Sequence, residues 1–95
     1  MLLNSNYVKL VVTGGSVNLT YADSTSALGY RTTESNKILA SSVANYPVGK
    51  NIIGQFVVPL THYGDIFYID SDGYIRGSSQ ISGTRWFRLF VFYTD

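Results

Sequence analysis

Cysteine is absent from this 95-residue chain, proline occurs twice, and histidine and tryptophan occur once each. Without cysteine there is no disulfide framework and no thiolate zinc site, so packing alone must hold the fold together. Charge is also scarce, at 14% of residues where a soluble domain usually carries about 25%. The basic residues, Lys9, Arg31, Lys37, Lys50, Arg76, Arg85 and Arg88, are scattered, and the net charge is +1. That excludes the concentrated basic footprint of a nucleic-acid-binding protein. No apolar run approaches the roughly 20 residues needed to cross a bilayer, so membrane insertion is not expected. The opening Met1-Leu-Leu-Asn-Ser-Asn lacks the charged and apolar regions of a signal peptide, and any export is expected to use another route.

Catalytic groups are equally sparse. His62 has no nucleophile elbow or second histidine at a metal-binding spacing to work with, and it reads as a loop residue. Asp70 and Asp72 are the only close carboxylate pair, and an exposed turn gives neither a reason for a raised pKa. Asp70-Ser71-Asp72-Gly73 also begins like a calcium loop, but the third acid and the later glutamate are missing, and turn chemistry accounts for the segment. The chain is therefore expected to be non-catalytic, with no metal and no cofactor.

Tyrosine and phenylalanine are what the chain has in quantity, eight and five of them. Phe67 to Ile69 and Tyr74 to Arg76 read as two strands hinged on Asp72-Gly73, whose glycine tolerates the positive φ of a tight turn. A second hairpin is expected at Thr13-Gly14-Gly15, between Tyr7–Val12 and Ser16–Tyr21. From Ala22 to Ser42 the composition is that of a loop with one or two short strands, Lys37 to Ala40 fitting either a strand or one helical turn. Ala44 to Lys50 reads as a turn, and Ile52 to Leu60 as a strand in which Gly54 and Pro59 favour a bulge or a sheet edge.

The last strand is the most informative. From Trp86 to Tyr93 one alternating set is Phe87, Leu89, Val91 and Tyr93, and the other is Trp86, Arg88, Phe90 and Phe92. A strand with one face in water alternates apolar with polar, so aromatic residues in the second set imply a cover for that face too. A second copy of the chain is the expected cover, with Arg88, Phe90 and Phe92 at the interface, and a second sheet of the same chain is the alternative. With turn signals about every 8 to 12 residues and no helical periodicity, residues 1–95 form one all-β domain, a small antiparallel β-sandwich of jelly-roll type.

The stretch from Val43 to Asp95, with its Ala44-Asn45-Tyr46-Pro47 turn, its Gly64-Asp-Ile-Phe-Tyr-Ile-Asp-Ser-Asp-Gly-Tyr-Ile75 hairpin and its Arg85-to-Tyr93 closing strand, resembles the C-terminal tip domain of bacteriophage tail fibres and receptor-binding proteins. The likeness covers about half of the chain. It implies a homotrimer in the virion, on a tail fibre or other external appendage, that adsorbs to host-surface saccharide. The rival expectation is a structural virion protein, a trimeric decoration or fibre-attachment module that meets other virion proteins without binding glycan. Sugar binding needs aromatic faces for the ring and planar polar groups for its hydroxyls. The residues that meet this description are His62, Tyr63 and Asp65 in one loop, Asp72 and Tyr74 at the hairpin tip, and Arg85 with Trp86 at the start of the last strand.

Overall fold

Period-two alternation, β-branched and aromatic residues and well-placed turn formers make this chain almost entirely strand. The structure, a computed structural model, describes residues 7–22, 29–32, 36–61 and 64–95. The strands are β1 (Lys9–Leu19), β2 (Tyr21–Ala22), β3 (Tyr30–Arg31), β4 (Ile38–Leu39), β5 (Asn51–Pro59), β6 (Ile66–Ile69), β7 (Tyr74–Ser79) and β8 (Gly83–Thr94). They build two antiparallel sheets. In the first, β8 lies between β1 and β5; in the second, β7 pairs with β6, β3 and β4, and β2 extends the sheet beyond β3.

The buried faces of the two sheets share one core. Val17, Leu19, Val57, Phe87, Leu89 and Val91 come from the first sheet, Phe67 and Ile75 from the second, and Ala40 and Val43 from the connection between β4 and β5. Two phenylalanines organise it. Phe87 lies opposite Gly15 across the β1–β8 ladder, and Phe67 lies opposite Gly77 across the β6–β7 ladder. A Cβ added at Gly15 would come 3.2 Å from the Phe87 ring, and one at Gly77 would come 2.7 Å from the Phe67 ring. Each ring therefore occupies the space of its missing neighbour, and the two rings meet with centroids 5.8 Å apart.

The hairpin expected at Thr13-Gly14-Gly15 does not form. Residues 9 to 19 run as one unbroken strand paired with β8 from Lys9↔Tyr93 to Leu19↔Gly83. Neither glycine has positive φ, unlike Gly49, Gly73 and Gly83. Contact, not turn geometry, explains them: a Cβ on Gly14 would stand 2.5 Å from the Phe87 carbonyl oxygen, and Gly15 carries the Phe87 ring.

The hairpin at Asp70–Gly73 does form. The Gly73 N–H donates to the Asp70 carbonyl and the Asp70 N–H to the Tyr74 carbonyl, with Gly73 at φ +87°. Ser71, Asp72 and Gly73 thus make a three-residue loop with a left-handed glycine at its end, one residue longer than a two-residue Asp-Gly turn. Lys37 to Ala40 resolves into both expected forms, the short strand β4 followed by a 3-10 turn over Ala40–Ser42. β5 is an edge strand with its register shifted between Ile52 and Gly54, as Gly54 and Pro59 imply.

The glycine contacts yield a stability test. Gly14→Ala places its methyl against backbone that cannot swing aside, and is expected to cost about 1–3 kcal/mol in urea denaturation. Gly54→Ala meets nothing within 4 Å, and its cost is expected to stay under about 1 kcal/mol. Equal losses for the two variants would contradict the contact account of Gly14.

Candidate functional site

β8 is central in its sheet and has two apolar faces, only one of which is covered by described residues. Phe87, Leu89 and Val91 are buried against the second sheet. The opposite face is uncovered by any described residue. It carries Leu10 and Val12 from β1, Trp86, Arg88, Phe90 and Phe92 from β8, and Phe56 and Val58 from β5, in the rows Leu10↔Phe92, Val12↔Phe90↔Phe56 and Gly14↔Arg88↔Val58. The second sheet thus covers the Phe87 face, which rules out the alternative that it covers the aromatic face. Trp86 is 54% exposed, Phe56 47%, and Leu10, Val12 and Leu60 about half.

This face has two parts. Toward the C-terminal end of β8, the Phe56 ring stacks on Phe90 at 4.9 Å between centroids and lies 6.3 Å from Phe92, so the three rings form a stripe beside Leu10 and Val12. Toward the start of β8 there is an open notch of about 330 Å³ lined by Val12, Thr13, Gly14, Gly15, Leu60, Trp86, Phe87 and Arg88. The absent side chain of Gly14 keeps its floor low. The Trp86 backbone is held on both sides of its peptide, its N–H donating to Thr61 Oγ1 at 2.6 Å and its carbonyl accepting from the Leu60 N–H at 2.9 Å.

Those residues expected to bind sugar that the structure describes do not meet in one place. His62 and Tyr63 lie outside the described residues. Asp65, expected in an exposed loop, is 4% exposed. It faces the Arg85 guanidinium, Nε to Oδ1 3.7 Å, and Arg85 also donates to the Thr84 and Ser82 carbonyls. Arg85 shares the inward face of β8 with Phe87, so this ion pair closes one end of the core and is not open to a ligand. Asp72 and Tyr74 sit at the hairpin tip. Asp65, next to Ile66↔Ser78, lies at the other end of the hairpin, about 15 Å away at the usual strand rise. Tyr74 is occupied by Lys37, whose Nζ lies 4.1 Å from the ring centroid.

Trp86 and Arg88 share the outer face of β8 and both line the notch. The sequence reading placed Trp86 in the sugar site and Arg88 at the subunit interface, and it missed the notch because Gly14 looked like a turn glycine. No family model, curated protein or solved structure matches this chain. The functional reading therefore rests on the outer face and its notch.

The hairpin tip is held by its own carboxylate. Asp70 Oδ1 accepts the N–H groups of Asp72 and Tyr74, each at 2.9 Å, and Oδ2 accepts Arg76 Nε at 2.8 Å. These bonds, that of Arg76 foremost and the Tyr74 N–H next, hold the Asp70 carboxyl below the usual carboxylate range. A carboxyl with a lowered pKa in the folded state stabilises above its unfolded pKa of about 4, and that contribution is lost as pH falls through the folded value. Urea midpoints are expected to fall below pH 4, and Asp70→Asn is expected to flatten that fall while lowering stability at pH 7. An unchanged acid limb in the variant would remove Asp70 from the account.

Proposed function

We propose that this chain is a homotrimeric, non-catalytic adsorption module of a phage virion, of the receptor-binding tip kind, that attaches to host-surface carbohydrate. The observation that carries the reading is the uncovered stripe of Leu10, Val12, Phe56, Phe90 and Phe92 on the outer face of the first sheet. A contiguous apolar patch on a small domain marks an interaction surface. Burying each of its aromatics contributes about 1.5–3 kcal/mol, a large gain for a chain that buries only about two-thirds of its unfolded surface alone.

The connectivity supports a reduced jelly roll. The chain passes between the sheets from β1 to β2, β4 to β5, β5 to β6 and β7 to β8, and the first and last strands pair within one sheet, with the last at its centre. The hairpin and closing-strand wording shared with tail-fibre tips supports the virion setting. An exposed tryptophan beside an arginine supports sugar as the ligand class.

Light scattering on a sizing column tests the assembly. The wild type is expected at about three times its 10.5 kDa chain mass, and Phe90→Glu is expected to run as a folded monomer, since Phe90 is not part of the inner core. A monomeric wild type at micromolar concentration would overturn the trimer. Adsorption to host cells that soluble glycan inhibits is the expected biological result. Adsorption indifferent to sugar, with tight binding to a capsid or baseplate protein, would instead assign the structural virion role.

A further inference from the structure

The geometry points to the notch between Trp86, Gly14 and Arg88 as a binding site for an anionic pyranose, a sugar ring carrying a carboxylate or phosphate. The inference rests on the carbohydrate reading above and names both the place and the charge of the ligand. Three observations meet there. The first is the Trp86 ring, 54% exposed at the centre of a sheet on a backbone fixed by Leu60 and Thr61. Such a ring offers a flat apolar face to the C–H side of a sugar, and its indole N–H can donate to a hydroxyl.

The second is the notch itself. Its 330 Å³ falls at the small end of ligand sites, which run from about 300 Å³ upward. Gly14 keeps it open by necessity, because any side chain there would meet the Phe87 carbonyl oxygen at 2.5 Å. The floor is therefore built into the ladder that holds β1 to β8 and does not depend on a mobile side chain.

The third is Arg88. Lys9 and Lys50 pair with Asp95, Arg76 with Asp70 and Arg85 with Asp65, while Lys37 lies over Tyr74. Among the basic side chains described, Arg88 is the one with no carboxylate in range and no aromatic ring beneath it. Two residues from Trp86 on the same face, its Cα lies about 7 Å along the strand, and both side chains line the notch. A planar fork of donors matches a carboxylate or phosphate in two-point fashion, which a neutral hydroxyl cannot match in strength.

Because the chain has a single tryptophan, its fluorescence reports this site alone. Titration of the full chain with methyl glucuronoside, glucose 6-phosphate, neutral methyl glucoside and inorganic phosphate separates the contributions. Saturable changes are expected with one or both anionic sugars, at least about tenfold tighter than with the neutral sugar. The carboxylate and phosphate arms identify which anion the site prefers. Arg88→Ala is expected to abolish that preference, and Arg88→Lys to restore part of it, with the scattering mass unchanged in both. No saturable response to either anionic sugar at millimolar concentration, an equal response to the neutral sugar, an equal response to phosphate alone, or an intact preference in Arg88→Ala would each overturn the proposal. A monomeric wild type that still binds the anionic sugar would remove the trimer and leave this site standing.

Discussion

The meeting of Phe67 and Phe87 across the two sheets is the contact on which the rest of the structure depends. Each ring lies over a glycine of the neighbouring strand, Gly77 and Gly15 respectively, and the rings touch at 5.8 Å between centroids. The aliphatic core residues, among them Leu19, Ile75, Leu89 and Val91, pack around it. Ala40 and Val43 join them from the connection between β4 and β5, and the ion pairs of Lys9 and Lys50 with Asp95 are exposed and weakened by solvent screening. Cohesion is therefore concentrated where Phe87 of β8 meets Phe67 of β6.

That concentration fixes the part played by β8. Because its Phe87, Leu89 and Val91 side makes the core, its Trp86, Arg88, Phe90 and Phe92 side must face away from the core, and the neighbours β1 and β5 extend that outer surface to three strands. Strand alternation leaves no third option. A one-residue slip in β8 would bring Arg88 into the core and put Leu89 outside. The ion pair of Asp65 with Arg85, on the inward side, resists that slip, since a displaced Arg85 would leave a buried carboxylate without its cation. Charge placed at one end of the core thus helps to set register along the whole strand.

Much of this was legible in the chain because strands announce themselves by period. The closing strand, the Asp70–Gly73 hairpin, the bulged edge strand with Gly54 and Pro59, and the two-faced character of Trp86 to Phe92 all follow from local pattern. What the sequence concealed has one physical cause: glycine supplies the same letter for a turn and for a close contact. Thr13-Gly14-Gly15 looks like a hairpin, yet its glycines stay extended because the Phe87 ring and carbonyl lie against them. The notch went unseen for the same reason. Asp65 and Arg85 looked like exposed loop and strand-end polar groups, and only the two ladders, 20 residues apart in sequence, place them together in the interior.

The two halves of the outer face differ in what they tolerate. The stripe of Phe56, Phe90 and Phe92 contains no charge, so covering it with another copy of the chain leaves nothing unsatisfied. The half containing Arg88 is different, because sealing a guanidinium from water without an anion costs several kcal/mol. Of the described carboxylates, Asp65, Asp70 and Asp95 are already paired with cations, and Asp72 is at the tip of the other sheet. A tight contact between copies is therefore favourable over the stripe and unfavourable over the notch, and the boundary falls between Phe90 and Arg88. Assembly on one side of that line would leave Trp86 and Arg88 in water, within reach of a charged sugar, so the proposed self-association and the proposed ligand site are compatible on a single three-stranded sheet.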